Sequence, residues 1–299
     1  MTKITVVGAE LSAEKKARLE ALGEVKYFPS PTDSEALIAA AEGADVLYSD
    51  GSRLLESLPK LRNVFVVYPF VELGVFDSEA LKANGVTVAN SQGGNRASII
   101  EWVMFMVLSL FRGFVPQIRA TENIPFAVHE SLAGKKVCIV GKGSIGSQIV
   151  GPCEAFGMDV RFFERGDDLI AKVSDVDLVI NALNCNSTSE NLLDEACFRS
   201  LKPGAYFISF ARQYTYDLDG LLAAINAGIV AGAAIDCDPE KFGDTTNAFY
   251  QKALSNPKVL VTPHVAWSTA QAQANGSEIA VKNIEAFLSG TPQNVLRKR

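Results

Sequence analysis

Three side chains that could recognise a carboxylate and transfer a proton follow β-branched runs in the second half of the chain. Arg212 comes after "GAYFISF", Asp236 ends "IVAGAAID", and His264 follows "KVLVTP". A guanidinium pairs with a carboxylate through two parallel hydrogen bonds, and an imidazole gives or takes a proton near neutral pH. Arg212 and His264 therefore predict chemistry on a small acid that carries a carbonyl or hydroxyl group.

A glycine-rich turn supplies a second chemical signal. The sequence "GKGSIG", in the pattern G-x-G-x-x-G, directly follows the apolar run at 136–140. The first glycine permits a tight turn, the second lets the backbone approach a pyrophosphate, and the third allows close packing of helix on strand. The pattern predicts a dinucleotide site at the start of a helix, whose free amides attract phosphates. The residues expected to form this turn are Gly141, Gly143, Ser144, Ile145 and Gly146.

Two residues after the next predicted strand should decide which dinucleotide binds. Glu164 ends "MDVRFFE" and lies about 20 residues past the last glycine of the turn, where an acid holds the ribose hydroxyls of NAD. Arg165 follows directly and could instead meet the 2′-phosphate of NADP, but Glu164 would repel that phosphate. We therefore expect NAD as cofactor, with NADP as the alternative.

These groups need a scaffold of parallel strands and crossover helices to bring them together. Short β-branched runs alternate with helical patterns along the chain, and the alternation occurs twice. Sequential parallel strands require helical crossovers, so the pattern predicts an α/β protein with two Rossmann-like lobes. Ligands of such sheets bind beyond the carboxyl ends of the strands. Arg212, Asp236 and His264 are accordingly expected at the same edge as the glycine turn.

Composition limits the kind of protein. A chain of 299 residues that is 48% hydrophobic can build a large core, and its net charge of −6 opposes a nucleic-acid surface. The longest apolar stretch, at 102–111, is too short to span a bilayer and predicts a buried helix. Five cysteines without C-x-x-C spacing indicate reduced thiols, and no cluster has metal-ligand spacing. We expect a cytoplasmic protein with no metal and no nucleic-acid or membrane partner.

Several segments resemble the D-isomer-specific 2-hydroxyacid dehydrogenases. They are "LAGKKVCIVGKGSIG", "LKPGAYFISFAR", "LDGLLAAINAGIVAGAAID" and "VTPHVAW", together with "VANSQGGNRASIIEW", which is similar to the segment joining that family's lobes. The resemblance is strongest from about 86 to 268. It implies a doubly wound parallel-sheet dinucleotide-binding (Rossmann) domain at 99–268 and a flavodoxin-like substrate domain at 1–98. The segment 269–299 would carry a helix returning to the substrate domain, and the family's members are usually homodimers.

The resemblance also implies roles for single residues. Arg212 would bind the substrate carboxylate and carbonyl, His264 would be the proton donor, and Asp236 would contact the nicotinamide carboxamide. Two departures accompany it, because Ser209 and Gln213 stand where the family has asparagine and glycine around its arginine.

The family's carboxylate-binding loop also differs in this chain. Glycines are usual there, whereas the corresponding segment contains Phe70, Val71 and Glu72. Backbone amides survive substitution, so Val71 and Glu72 could still bind a carboxylate, with Phe70 in the pocket wall. An altered pocket leaves formate or a bulky oxo acid open as substrates.

A proton donor at neutral pH needs a nearby acid, because an ordinary histidine with a pKa near 6.5 is then mostly neutral. Counted from Arg212, the family's glutamate position falls on Lys241. Asp238 precedes Pro239 in a turn-like segment, so we expect Glu240 to be the partner of His264. A different slip of the loop would place Lys241 there instead.

Two functions fit these observations. The first is an oxidoreductase that moves a hydride between NAD(H) and a small 2-oxo or 2-hydroxy acid, acting on the CH–OH group of the reduced form. The alternative is a catalytically weak dinucleotide-sensing or regulatory protein of the same fold. Retention of Arg212 and His264 favours the enzyme, while the altered loop and the displaced glutamate favour the sensor.

Overall fold

The computed structural model describes residues 1–71, 73, 76–238 and 243–296. The chain forms two compact units: an amino-terminal unit, which comprises Met1–Asn95 and the chain from Thr269 onward, and a central unit, Arg96–Ser268. The first break lies three residues before the expected boundary at 98/99, because a helix begins at Arg96.

Strands and helices alternate through both units. The strands β1–β11 are Lys3–Val7, Glu24–Phe28, Val46–Ser49, Phe65–Val67, Thr87–Ala89, Lys136–Val140, Asp159–Phe163, Leu178–Asn181, Ala205–Ser209, Val230–Asp236 and Val259–Thr262. The helices α1–α12 are Ala13–Leu22, Ser34–Ala41, Leu54–Ser57, Ser78–Ala83, Arg96–Phe111, Phe114–Ile118, Gly146–Ala155, Leu169–Val173, Glu195–Arg199, Leu218–Asn226, Ala248–Leu254 and Ala270–Leu288. Two 3₁₀ turns cover Leu58–Lys60 and Gln213–Thr215.

Several helices begin where a short polar side chain caps them. Ser12 accepts a hydrogen bond from the Lys15 amide ahead of α1, and Asp33 does the same for Ala36 at α2. In the central unit, Asp194 caps α9 in this way. These side chains satisfy amides that have no partner inside the helix, which fixes the starting points.

The amino-terminal unit is a flavodoxin-like α/β unit, as predicted. Its five strands are parallel and lie in the order β2-β1-β3-β4-β5, which is the 2-1-3-4-5 order of that fold. Helix α12 belongs to this unit, where Phe287 stacks on Phe65 of β4 with ring centroids 4.0 Å apart.

The central unit contains a six-stranded parallel sheet in the order β11-β10-β9-β8-β6-β7. Strand β6 pairs with β7 on one side and β8 on the other, so the direction in which successive strands are added changes beside β6. Ligands of such sheets bind next to this point, beyond the carboxyl ends of the strands. The register also aligns Asp236 with Thr262 and Asn181 with Ser209. Polar side chains from neighbouring strands therefore meet at this edge.

Helix α5 is largely buried over 102–111, as expected, but two of its apolar side chains lie at the surface. Val103 and Val107 are fully buried in the central core, but Phe105 is 55% exposed and Leu108 is 36% exposed. The helix thus keeps an apolar face at the surface of its unit. Among the described residues, no helix is long and apolar enough to cross a membrane.

Candidate active site at the carboxyl edge of the central sheet

Arg212 and His264 meet through a shared carboxylate, that of Asp238. Arg212 lies just beyond β9, and its Nη1 donates a hydrogen bond of 2.7 Å to Asp238 Oδ2. His264 lies just beyond β11, with its Nδ1 3.0 Å from the other oxygen, Oδ1. Asp238, two residues past the end of β10, therefore bridges the two predicted catalytic side chains.

The bridging carboxylate is held in its charged form. Burial alone would raise the pKa of the Asp238 carboxyl, but contact with His264 and the charge of Arg212 outweigh burial, so this pKa lies below its ordinary value. The Asp238 side chain is 14% exposed, against 38% for Arg212 and 24% for His264. The two potentially cationic groups thus remain accessible from solvent while the anion between them is covered.

Asp236 holds the loop that carries His264. Its carboxylate accepts hydrogen bonds from Thr262 Oγ1 at 2.6 Å and from the amides of Val265 and Ala266, both at 2.9 Å. Burial raises the pKa of Asp236, against the lowering effect of these three donors. The predicted contact of Asp236 with a nicotinamide carboxamide stays a prediction, because the contacts described are to this loop.

The backbone of His264 is unusual. Its φ of +61° lies in the left-handed region, which residues other than glycine seldom adopt. The hydrogen bonds that Asp236 accepts from Thr262, Val265 and Ala266 stabilise this turn, and such strain persists only where the surroundings enforce it. The turn places the imidazole next to Asp238.

A buried polar chain fixes the turn after β9. Asn181 Nδ2 donates to Ser209 Oγ at 3.2 Å and to Thr215 Oγ1 at 2.9 Å, and Thr215 Oγ1 donates to the Arg212 carbonyl at 2.8 Å. Asn181, Ser209 and Thr215 are all fully buried. Asn181, on the adjacent strand, thus contacts Ser209, the residue that stands where an asparagine was expected.

The glycine turn between β6 and α7 fits a dinucleotide. Gly141 has a φ of +110°, and a Cβ there would lie 2.7 Å from the Ala182 carbonyl oxygen. A Cβ at Gly146 would lie 2.1 Å from the Gly141 carbonyl oxygen, whereas one at Gly143 would meet only Asn184 Nδ2, at 3.9 Å. Two glycines are therefore required by close packing, and the middle one leaves the open approach that a pyrophosphate needs.

The start of α7 is also suited to an anion. Ile145 occupies the capping position, and no described side chain hydrogen-bonds to the amides of this first turn as a cap. Ser144 and Ile145 lie at the amino-terminal end of this ten-residue helix, where backbone amides are available. Backbone amides and the helix dipole there favour phosphate oxygens.

Glu164 follows β7 and forms an ion pair with a lysine of the glycine turn. Lys142 Nζ lies 2.9 Å from Glu164 Oε1, and both side chains are about half-exposed. Arg165 Nη2 donates to Thr188 Oγ1 at 3.0 Å. The sequence analysis did not single out Lys142, which brings a second cation to the predicted ribose site.

The predicted substrate loop lies in the amino-terminal unit. Asn90 Nδ2 donates to the Val71 carbonyl at 2.6 Å, and the Ser91 amide donates to the Phe70 carbonyl at 2.9 Å. Phe70 is half-buried and its ring lies edge-on to Tyr68, with centroids 5.3 Å apart. Residues 90 and 91 thus hold the backbone of this loop.

Two predicted site residues, Glu72 and Glu240, lie outside the described residues. Asp238 occupies the place beside His264 that was expected for an acid two residues further on. The signal that could have found Asp238 is alternation: residues 236 and 238 fall on the same side of an extended chain, so both can reach the edge occupied by His264. Within the described ranges, no group of three or more His, Cys, Asp or Glu is placed to hold a metal ion.

A comparison with protein-family profiles identifies the family of the chain. Residues 104–266, more than half of the chain, match the D-isomer specific 2-hydroxyacid dehydrogenase, NAD binding domain. The chain belongs to the D-isomer specific 2-hydroxyacid dehydrogenase family. The family, the fold class and the NAD-binding domain predicted from the sequence are confirmed.

Curated relatives carry the names of dehydrogenases. The chain is 32% identical over 257 residues to a D-3-phosphoglycerate dehydrogenase of Haemophilus influenzae, a match that covers 80% of this chain and 62% of that protein. It is 26% identical over 293 residues to a glycerate dehydrogenase of Methylorubrum extorquens, covering 91% and 92%. The chain thus spans less than two thirds of the first relative and nearly all of the second.

A solved structure supports the fold. An acyclic imino acid reductase in complex with NADPH and D-Arg superposes with a TM-score of 0.82 at 19% identity, over 99% of this chain and all of that one. At this identity the likeness concerns architecture alone.

Proposed function

We propose that this protein is an NAD-dependent oxidoreductase that interconverts a small 2-oxo acid and the corresponding D-2-hydroxy acid. The observation that carries the proposal is the Arg212–Asp238–His264 cluster, which lies at the same sheet edge as the glycine turn. A cation for the carboxylate and a proton donor for the carbonyl oxygen are the two groups that this reaction asks of the protein.

The roles follow from the geometry of the cluster. The guanidinium of Arg212 binds the substrate carboxylate and polarises the adjacent carbonyl, because its fork retains donors beyond the one that Asp238 accepts. His264 gives a proton to the carbonyl oxygen as that oxygen gains negative charge, and in the reverse direction it removes the hydroxyl proton. NAD(H), when bound, supplies or accepts the hydride at the carbon.

Dinucleotide binding is assigned to the central unit and substrate selection to the amino-terminal unit. The glycine turn with Ser144 and Ile145 would hold the pyrophosphate, Glu164 the ribose hydroxyls, and Asp236 the carboxamide. Phe70, Val71 and Glu72 are proposed as substrate contacts, and Glu240 as a further acid near the site.

NAD is the proposed cofactor in preference to NADP. Glu164 can accept both ribose hydroxyls of NAD, and its negative charge disfavours a 2′-phosphate. Lys142 and Arg165 lie close enough to this position to reduce the discrimination, because each could attract the phosphate.

A homodimer in the cytoplasm is the proposed state of the protein. The exposed apolar side chains of α5, α6 and the segment after them support self-association, since a folded chain seldom leaves such a patch uncovered. Four buried cysteines have thiol pKa values raised to about 11 or 12 by burial, which fits thiols that stay reduced.

The test is NADH oxidation by the purified protein against a panel of 2-oxo acids. The panel contains glyoxylate, hydroxypyruvate, pyruvate, phenylpyruvate and the oxidised form of D-3-phosphoglycerate. Turnover of at least one acid, lost in the His264→Asn variant, is the expected result. Protein that binds NADH but turns over none of them would instead favour the dinucleotide-sensing alternative.

A further inference from the structure

We propose that Asp238 is the positioning acid of this active site: it keeps His264 in its proton-donating form and holds the guanidinium of Arg212 beside it. The proposal rests on the function proposed above and adds a residue to it. Counted from Arg212, the family's glutamate position falls on Lys241, which carries no carboxylate.

The first argument is the way in which the carboxylate is shared. Its two oxygens face different partners, Oδ2 receiving the Arg212 Nη1 hydrogen bond at 2.7 Å and Oδ1 lying 3.0 Å from His264 Nδ1. A contact at Nδ1 leaves Nε2 as the nitrogen that can face a substrate. One anion between two cations also cancels their repulsion, which would otherwise favour the neutral imidazole.

The second argument comes from the other ionisable groups packed around the cluster. Tyr216 and Cys237 lie close to Asp238, but burial raises the pKa of Tyr216 well above its ordinary value and that of Cys237 to about 11, so both stay neutral near pH 7. Asp236 directs its oxygens to Thr262, Val265 and Ala266. Among the described residues, Asp238 is therefore the carboxylate in ion-pair contact with both Arg212 and His264.

The third argument is the charge of Asp238. Burial would raise the pKa of its carboxyl, but contact with His264 and the charge of Arg212 bring this pKa below its ordinary value. The carboxylate is therefore ionised throughout the neutral range and loses its charge only in acid.

The experiment compares Asp238→Asn with Glu240→Gln, and uses Asp219→Asn as the matched control, an exposed acid on α10 that pairs with Lys252. Reduction of the preferred oxo acid is measured from pH 5 to 10. With Asp238 as partner, the alkaline loss of activity in Asp238→Asn should move to lower pH by about one unit. The Michaelis constant for the acid should rise about tenfold, because Arg212 loses its anchor, with NADH affinity unchanged.

A second readout needs no turnover. The chain has two histidines, so in a His129→Gln background an NMR titration of labelled imidazole follows His264 alone. Asp238→Asn should lower the titration midpoint by about one pH unit, while Glu240→Gln and Asp219→Asn leave it in place. This measurement still decides the inference if the wild type turns over no oxo acid, an outcome that would count against the proposed function alone.

Three results for the titration midpoint of His264 would overturn the proposal. The midpoint could move only in Glu240→Gln, move equally in Asp238→Asn and Glu240→Gln, or move in neither of these two variants. If Asp238→Asn fails to fold, Asp238→Glu takes its place. A retained carboxylate should keep the midpoint within about half a unit of the wild type, and a glutamate variant with the midpoint displaced as far as expected for asparagine would also contradict the assignment.

Discussion

At the residue scale, the shape of the Arg212 side chain matters as much as its charge. A lysine at position 212 keeps the charge but offers a point charge in place of a planar fork. The fork matters here because one arm is already engaged by Asp238, so a substrate must use the remaining donors.

We therefore expect Arg212→Lys to lower kcat/KM for oxo-acid reduction by about 100-fold or more, while NADH affinity stays near that of the wild type. Steady-state kinetics and a fluorescence titration with NADH separate the two effects. Arg199→Lys, at an exposed arginine that pairs with Glu195 within α9, is the control. Parallel loss of turnover and NADH binding would show that Arg212 supports the fold or the cofactor instead.

Residue types and order predicted Arg212, Asp236 and His264 as a group, because each follows a strand of a parallel sheet. The acid that contacts His264 was not the one expected. Spacing along the chain favoured Glu240, whereas the structure places Asp238 against the imidazole, since the path of the chain after β10 decides which carboxylate arrives there. Counting residues along the sequence does not reveal the path of the chain through a turn.

At the element scale, the turn from β6 into α7 depends on a glycine that has no room for a side chain. Gly146→Ala would place a methyl group 2.1 Å from a backbone oxygen, so we expect a loss of about 3 kcal/mol in the free energy of unfolding and weakened NADH binding. Chemical denaturation and calorimetric titration measure the two quantities.

Gly151 provides the matched control in the same helix. It has no neighbour within 4 Å of an added Cβ, so Gly151→Ala should stabilise the protein by about 0.5–1 kcal/mol through better helix propensity. Similar destabilisation by both alanines would mean that the turn is less tightly packed than described.

Cofactor preference belongs to the same region. Glu164→Ala should narrow the preference for NADH over NADPH about tenfold, because it removes the acceptor for the ribose hydroxyls and leaves Lys142 and Arg165 near the position of the 2′-phosphate. Initial rates with both cofactors provide the measurement, with Glu195→Ala as an exposed-acid control. Wild-type protein that uses NADPH at least as well would show that the cations dominate.

The regular elements were largely predictable because their periodicity is clear. Strand β6 coincides with the apolar run at 136–140, and α12 lies in the segment 269–299, where a helix was expected. The short helices α3, α6, α8 and α11, of four to seven residues each, were not predicted. Pairing across strands, such as Asn181 with Ser209, was also hidden, since register depends on tertiary contacts.

At the scale of the whole molecule, the exposed apolar surface of α5 and of the segment that follows it has no covering partner within the described chain. Exposed apolar side chains continue from Phe105 through Ile118 and Ile124 to Phe126, which is 94% exposed, and Val128, at 88%. Burying such side chains against a second copy would stabilise a dimer by about 2 kcal/mol each.

Phe126→Ser combined with Val128→Ser should therefore shift a dimer towards monomers of 32.1 kDa. Light scattering coupled to size-exclusion chromatography, over a range of concentrations, gives the mass. Ile170→Ser, at an exposed isoleucine of α8, is expected to leave the mass unchanged. A wild-type protein that is already monomeric at high concentration would remove the proposed interface.

The distribution of cysteines has a practical consequence for following the cofactor. Four of the five thiols are buried and largely protonated at neutral pH, whereas Cys185, in the loop after β8, is exposed. The preceding residue, Asn184, is the neighbour nearest to an added Cβ at Gly143. A maleimide dye would therefore attach mainly at one position, beside the open face of the glycine turn. Its emission would report occupancy of that turn in the native chain, without any engineered cysteine.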